Sequence, residues 1–269
     1  MDQVDHVYQL ERACADAWPS VVDEPLGDWR LRAAGGFTGR ANSALTLGDP
    51  GLPVAAALAV VRAFAADNAI PATAHVVLGA ALEPALVAAG WAVDADHPGG
   101  GESVVMTGAL SGLAGPVPAG VAVSDRVVAD WWPLAVGAAV PTAAQLRVLS
   151  GGDQVGFGIA RDDLGRVAGI VRGAVVGDLL HIARLAVTPA RRRTGLATGL
   201  LAALAGWGAG LGARRCVLQV ATHNRGAVAL YAGRGCRPHH GYRYWVPGSA
   251  AAGHGVAQRE RGRQRAAGQ

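Results

Sequence analysis

Short apolar runs separated by turn signals fill the second half of the chain. Residues 121–123, 154–160, 167–175 and 179–187 are predicted strands, and the middle two flank Asp162-Asp163-Leu164-Gly165, a hairpin turn closed by glycine. A second turn at Gly177-Asp178 precedes the last of them. The pattern then predicts a helix over 196–209, a strand over 215–220, a helix over 224–235 ending at glycine, and a strand over 242–246. Residues 129–140 look helical, with Pro133 blurring the start. An antiparallel meander followed by strand-helix-strand-helix-strand implies an α+β fold with a mixed sheet. The first half repeats the order more faintly: strands over 29–32 and 43–47, a helix over 54–66, a strand over 74–78, a helix over 82–89, and a strand over 103–107. Leu86-Val87-Ala88-Ala89-Gly90-Trp91 beside Leu230-Tyr231-Ala232-Gly233-Arg234-Gly235-Cys236 suggests a diverged internal duplication.

The uncharged, Gly- and Pro-rich stretch 111–120 is predicted to be a linker between a first domain, 1–110, and a second, 121–247. Residues 248–269 lack periodicity and are predicted to be a disordered tail. Hydrophobic residues make up 51% of the chain, enough for a sizeable core or two modest ones.

All 24 basic residues are arginine, which excludes Schiff-base chemistry and the lysine of a nucleotide P-loop. The net charge of +4 is unevenly spread. Arg259, Arg261, Arg263 and Arg265 crowd the tail, where the absence of interleaved aromatics favours a solvated end over a specific nucleic-acid arm. Three widely spaced cysteines argue against a disulfide framework and fit a reducing cytoplasm. Residues 1–10 carry acids and no apolar core, so no signal peptide is expected. The uncharged stretch 196–213 is glycine-rich and flanked by arginines, and it falls short of the ~20 apolar residues of a membrane span. It is predicted to be a buried helix, with no membrane partner.

The second concentration of charge is the informative one. In Leu185-Ala186-Val187-Thr188-Pro189-Ala190-Arg191-Arg192-Arg193-Thr194-Gly195-Leu196-Ala197-Thr198, a strand ends at a proline that has no N–H to donate, and an Arg/Gly turn leads into a helix. A helix N-terminus offers free N–H groups and a positive dipole end, so it binds anions. Gly195 lets a phosphate approach the backbone, and Ala197 keeps that approach open. Arginines there oppose the dipole, so an ordinary basic helix start is the poorer account and a bound anion the better one.

Arg192-Arg193-Thr194-Gly195-Leu196-Ala197 matches the Q/R-x-x-G-x-G/A motif and so resembles the GNAT superfamily of N-acetyltransferases. Asn224, with Tyr231 seven residues on and Gly235 beyond, is similar to that family's Asn…Tyr…Gly pattern. The resemblance covers about 121–246 and is specific over 185–235. It implies a mixed-sheet GNAT-like acyl-CoA N-acyltransferase fold in two tandem copies, of the actinobacterial two-domain type. It further implies that acetyl-CoA, as co-substrate, is attacked directly by a primary amine on a small molecule or peptide. By the same resemblance, backbone groups of Leu185, Ala186 and Val187 would pair with the pantetheine arm where the sheet splays, and Arg192, Arg193, Thr194, Gly195, Leu196, Ala197 and Thr198 would hold the pyrophosphate. Asn224 would bond the cofactor, and Tyr231 would protonate the leaving thiolate. Where the family often carries a glutamate base, this chain has His181, a residue able to serve as a base near neutral pH. Asp178 and an ordered water are alternatives, and a solvent-facing strand histidine is an equal one.

Other signals carry less. Asn224 is equally a helix N-cap. Cys236-x-x-His239-His240 has too few neighbours for a metal site, and Trp131-Trp132 fits a core better than a ligand wall. The turn Leu47-Gly48-Asp49-Pro50-Gly51-Leu52 stands where the first half's cofactor turn would be, but it holds an acid and no arginine, and Val87 replaces the tyrosine. That half is expected to have lost cofactor binding. The polar segment 35–43 fits a plain loop slightly better than an acceptor-facing wall. A non-catalytic acyl-CoA sensor is the rival reading, and the oligomeric state is left open, a homodimer included.

Overall fold

The first half of the computed structural model, which describes residues 3–97 and 99–248, runs α1 (Gln3–Ala17), β1 (Val22–Leu26), β2 (Trp29–Ala33), β3 (Ala44–Leu45), α2 (Val54–Asp67), β4 (Ala74–Val77), α3 (Glu83–Ala88), β5 (Trp91–Val93) and β6 (Glu102–Ala109). The second half runs β7 (Val121–Ser124), α4 (Trp132–Val136), α5 (Ala143–Ser150), β8 (Val155–Arg161), β9 (Val167–Val176), β10 (Leu179–Val187), α6 (Leu196–Gly210), β11 (Arg215–Ala221), α7 (Arg225–Ala232) and β12 (Arg237–Pro247). The mixed α+β order and the tandem repetition are as the sequence predicts.

The strands form one twelve-stranded sheet in the order β1-β2-β3-β4-β12-β6-β11-β10-β9-β8-β7, with β5 on β12. The first half's last strand, β6, lies between β11 and β12 of the second half, antiparallel to both. Strand β12 in turn pairs with β4, so the sheet runs unbroken from one half to the other. The segment 111–120 is fastened to the second half. Leu113 is buried, Arg234 Nη2 donates to the Leu113 and Ala114 carbonyls at 2.9 and 2.7 Å, and Pro118 packs where only a glycine, Gly199, leaves room.

Helix α6 is apolar all round because it lies between the sheet and this segment. Leu200, Leu201 and Leu204 meet Val171, Leu180 and Ile182 of the sheet, and glycines at 156, 173 and 208 let helix and strands approach closely. On the opposite face α1, α4 and α5 cover Trp18, Trp131, Phe157, Ile170 and Ala183. Trp131 is fully buried and donates its Nε1–H to the Gly158 carbonyl at 3.1 Å, as its core reading requires.

Three local expectations change. The helix predicted over 129–140 is a short 3₁₀ turn followed by α4, which a left-handed Gly137 ends at once. Helix α5 was not expected, although Thr142 and Gln145 form a full capping box at its start. Helix α1 and strands β1 and β5 were also unread. The arginines at 259, 261, 263 and 265 lie outside the described residues. Among the described residues no helix is long and apolar enough to cross a membrane.

Candidate active site

Strands β10 and β11 run parallel and pair only from Leu179↔Arg215 to Ile182↔Leu218. A β-bulge then interrupts β10 between Ala183 and Ala186, and Arg184 adopts φ 55° within it. Beyond the bulge β10 follows its outer neighbour, with Ala186↔Ile170 and Val187↔Gly169, while β11 stays with β6. Two strand edges therefore diverge as a fork, and the backbone of Leu185 to Val187 faces the gap.

The chain leaves the fork through the arginine turn. Thr194 Oγ1 donates to the Arg191 carbonyl at 2.7 Å and ties the turn. Arg193 (φ 63°) and Gly195 (φ 84°) both sit in the left-handed region. The first α-type bond is Gly199 N–H to the Gly195 carbonyl at 2.9 Å, so the N–H groups just before Gly199 have no intrahelical acceptor. Left-handed residues at this point turn successive N–H groups toward one concavity, an anion cradle. Arg192 and Arg193 stand beside it with no carboxylate partner among the described residues, and Arg191 reaches Asp163 only at 3.9 Å.

A cleft of about 660 Å³ opens at this place. Leu185, Ala186, Val187, Arg192, Arg193, Gly195, Leu196, Ala197, Thr198, Asn224 and Tyr231 all line it. Thr194 stays behind the wall, as the tie of the turn. Asn224 caps α7 with Oδ1 accepting the Ala227 N–H at 3.1 Å, so its capping role is present in the cleft wall. Tyr231, 6% exposed, lies one helix length beyond. Burial, then the neighbouring Cys236 and Cys216, push its pKa up and keep the phenol protonated at neutral pH. Gly195 leaves its Cβ direction open, so a phosphate can reach the backbone. The donor set, the dipole end and the unpaired arginines fit a pyrophosphate; the open β10 edge fits an extended arm.

His181 is placed elsewhere. It is 1% exposed on the α1 face of β10 and does not line this cleft. Its Nδ1 is buried without a partner, and its Nε2 lies 3.5 Å from Arg40 Nη1. Burial, then Arg40 and Arg172, hold its pKa well below the usual histidine value, so it is neutral. The expectation of a solvent-facing histidine therefore does not hold. Asp178 pairs through both oxygens with Arg215 at 3.0 Å, at the closed end of the β10–β11 pairing.

A second cleft, of about 530 Å³, opens on the His181 side. Gln219 lines it, the residue that follows the last paired residue of β11, which puts this cleft beside the end of the β10–β11 pairing. Its other walls include Thr38, Arg40 and Asn42 from the 35–43 segment, together with Ser103, Tyr242 and Tyr244. That segment is built rather than loose. Asn42 Oδ1 accepts the N–H groups of Ala34 and Gly36 at 2.7 and 2.9 Å, and its Nδ2 donates to the Phe37 and Thr38 carbonyls. Sequence reasoning missed Arg40 and Gln219 as site residues. The polarity of 35–43 was the one available signal, because strand pairing alone brings positions so far apart together.

The first half lacks a fork. Strands β3 and β4 pair through Leu45↔His75, and the Thr46 N–H and Oγ1 both bond the His75 carbonyl, at 3.2 and 2.9 Å. Its turn satisfies itself: Asp28 Oδ2 accepts the Asp49 N–H at 2.9 Å, and Asp49 Oδ1 accepts the Gly51 N–H at 2.8 Å. Val87 is 62% exposed.

The metal-like Cys236, His239 and His240 do not gather ligands, and no cluster of three metal-binding side chains occurs among the described residues. His240 Nε2 instead meets the buried Glu11 at 2.7 Å.

A forked mixed sheet, an arginine turn at a helix start and a tyrosine on the following helix define a GNAT-type acyltransferase. The family model described as "Probable histone acetyltransferase Rv0428c C-terminal" matches residues 5–245, and the chain belongs to that family. Its fold is similar to a GCN5-related N-acetyltransferase from Kribbella flavida, at 18% identity over 95% of this chain and 97% of that one, with a TM-score of 0.63. It is also similar to a GCN5-related N-acetyltransferase from Sphaerobacter thermophilus, at 19% identity over 77% and 73% of the two chains, with a TM-score of 0.55. A tandem GNAT protein from the clavulanic acid biosynthesis pathway gives 18% identity over 76% and 74%, with a TM-score of 0.54. No curated protein matches the chain.

Proposed function

We propose that the protein moves an acetyl group from acetyl-CoA to a primary amine of a small molecule or peptide, by direct attack in a ternary complex. The observation that carries this reading is the assembly of fork edge, anion cradle, Asn224 and Tyr231 in one cleft of the second half. The pyrophosphate lies on the N–H groups of residues 193–198, with Arg192 and Arg193 beside it. The pantetheine arm adds to the open edge of Leu185 to Val187 as an extra strand. The acceptor enters from the second cleft and meets the thioester at the fork. The amine nitrogen bonds to the thioester carbon, the C–S bond breaks, and the CoA thiolate takes its proton from Tyr231. His181, held neutral, receives the amine proton through one water. The first half, 1–110, serves as a degenerate copy that binds no CoA, followed by the connecting segment 111–120 and the working half 121–247.

The family description speaks of histones; the acceptor proposed for this chain is a primary amine. Calorimetric titration with acetyl-CoA is expected to show one site per chain, and thiol release is expected over a library of amines. In Tyr231→Phe turnover should fall roughly a hundredfold, the lower end of general-acid contributions, with acetyl-CoA affinity within twofold of the parent. Absence of acetyl-CoA binding overturns the function, and unchanged turnover in Tyr231→Phe removes the acid.

A further inference from the structure

The second cleft carries a charge pattern that acetyl transfer by itself does not require. Arg40 reaches the fork from the first half. Its Nη1 donates to Gln219 Oε1 at 2.6 Å, and its guanidinium lies 4.4 Å over the Trp18 ring. Among the described residues no carboxylate pairs with it. Arg184, in the bulge of β10, stacks on Phe37 of the same segment at 4.8 Å, and its buried Nε has no partner.

Nearby groups do not cancel this charge. Arg172 is fully buried, and it donates to the Leu149, Ala17 and Gly151 carbonyls at the C-terminal ends of α5 and α1. That accounts for Arg172, since two helix ends supply its negative partners. Burial and the charge of Arg40 hold Arg172 and Arg184 down, to about 9 and about 10. The buried acid of this region, Glu11, is taken up by His240 and His75. Asp94 is the one acid on the cleft wall and stands with His97 after β5. The half of the cleft next to the fork is therefore a cationic site without an anion.

A guanidinium stacked on one face and bonded at one edge leaves N–H groups that match a planar two-oxygen anion. We propose that the acceptor is an amine with a carboxylate on a neighbouring carbon, a free amino acid or a similarly short amino carboxylate, held by Arg40 with Arg184 behind it. Arg40 bonds the residue next to the fork, so a carboxylate on Arg40 places the amine beside the thioester. The carboxylate takes no part in the bond changes: the N–C bond forms, the C–S bond breaks, the amine proton leaves to the base. Polyamines, aminoglycosides and lysine-rich peptides would bring like charge against Arg40 and Arg184 and are rejected. This inference rests on the reading of the protein as an acetyltransferase.

The test pairs each amino acid with its amide, glycine with glycinamide and alanine with alaninamide, beside spermidine and a lysine-rich peptide. Thiol release and saturation-transfer NMR on the CoA-loaded full chain are both read. The amino acids are expected to win over their amides by roughly ten- to a hundredfold in kcat/KM or in binding, the worth of a charge-assisted hydrogen-bonded pair. Arg40→Gln should bring acid and amide together while acetyl-CoA affinity stays within twofold, and Arg40→Lys should keep part of the preference. Equal use of acid and amide, preference for spermidine or the peptide, or no binding by any amino carboxylate overturns the inference and leaves the acetyltransferase reading standing. Loss of both substrates alike in Arg40→Gln, with Arg40→Lys no better, also overturns it. Failure of the parent to bind acetyl-CoA sinks the acetyltransferase reading instead.

Discussion

The two halves of this protein begin from the same element order and end as opposite solutions of one turn. In the second half β10 and β11 part after four paired residues, and the turn presents N–H groups that its own side chains leave free. In the first half β3 and β4 stay bonded past the corresponding point, and Asp28 and Asp49 occupy the N–H groups of the turn. A carboxylate of the chain accepts the Gly51 N–H, ahead of helix α2. The difference teaches that the two turns differ by more than the presence of arginines. The first half's turn has its Asp49 and Gly51 N–H groups bonded by side chains, and the strands beside it are held together by Thr46 on the His75 carbonyl. The closed half then does something else: its 35–43 segment becomes a wall of the second cleft, together with residues of the other half.

The sharpest break of this comparison is Gly195→Glu. Gly195 holds φ 84°, where a residue with a Cβ is strained by about 1–3 kcal/mol, and the new carboxylate would imitate in the second half what Asp49 does in the first. Acetyl-CoA affinity should fall at least roughly a hundredfold, about 2.7 kcal/mol. The reverse change, Asp49→Arg, is expected to create no second site, because the β3–β4 gap stays shut. Calorimetric stoichiometry reads both. Unaltered affinity in Gly195→Glu, or two sites in Asp49→Arg, would show that the turns do not explain the difference between the halves.

A second contrast is acid stability. Each half buries a histidine on this sheet, His75 in the closed half and His181 beside the fork, and burial first of all lowers the pKa of both. A folded-state histidine with a depressed pKa stays neutral where the unfolded chain takes up a proton. Stability from these groups is therefore present above the unfolded value near 6.5 and is lost as pH falls below it, by up to about 1.4 kcal/mol per pH unit for each. Glu11 acts with the same sign at lower pH: His75 and His240 hold its pKa below the usual carboxylate value against the opposing effect of burial, so its contribution fades as acid protonates it. Melting temperature should drop between pH 7.5 and 5.5, and either His75→Gln or His181→Gln should flatten the drop. A flat parent profile would show that neither histidine is held neutral.

The residues that line the first cleft were legible in the sequence and those of the second were not, for a physical reason. The anion cradle lies within one contiguous turn, so Arg192, Arg193, Gly195 and Ala197 reveal it by local spacing, and Asn224 and Tyr231 follow at a fixed helical distance. The second cleft joins Arg40 of a loop, Gln219 of β11 and Tyr242 of β12, and only sheet order relates them. The insertion of β6 between β11 and β12 leaves no local mark at all, because its apolar alternation suits any central position. His181 shows the same limit: its place in the strand was readable, but the Arg40 and Trp18 that cover it come from the other half. Helix α5 was readable and overlooked, since Thr142 and Gln145 carry the capping signature.

The smallest expected effect is in the closed turn itself. Asp28→Ala removes the acceptor of the Asp49 N–H at 2.9 Å and leaves Asp28's own N–H on the Asp49 carbonyl at 2.7 Å. Asp28 is exposed, so water can replace the lost acceptor, and the cost is set by one hydrogen bond, about 1 kcal/mol. Gly48 keeps its positive φ, and the carboxylate that crowds its Cβ direction is gone, so the turn loses a tie without gaining strain. Urea denaturation should therefore show a small loss of stability, with acetyl-CoA affinity and its single site unchanged. A change in acetyl-CoA affinity would mean that the first half's turn communicates with the fork, and the two halves would then have to be read as one binding unit rather than as a filled and an open copy of the same turn.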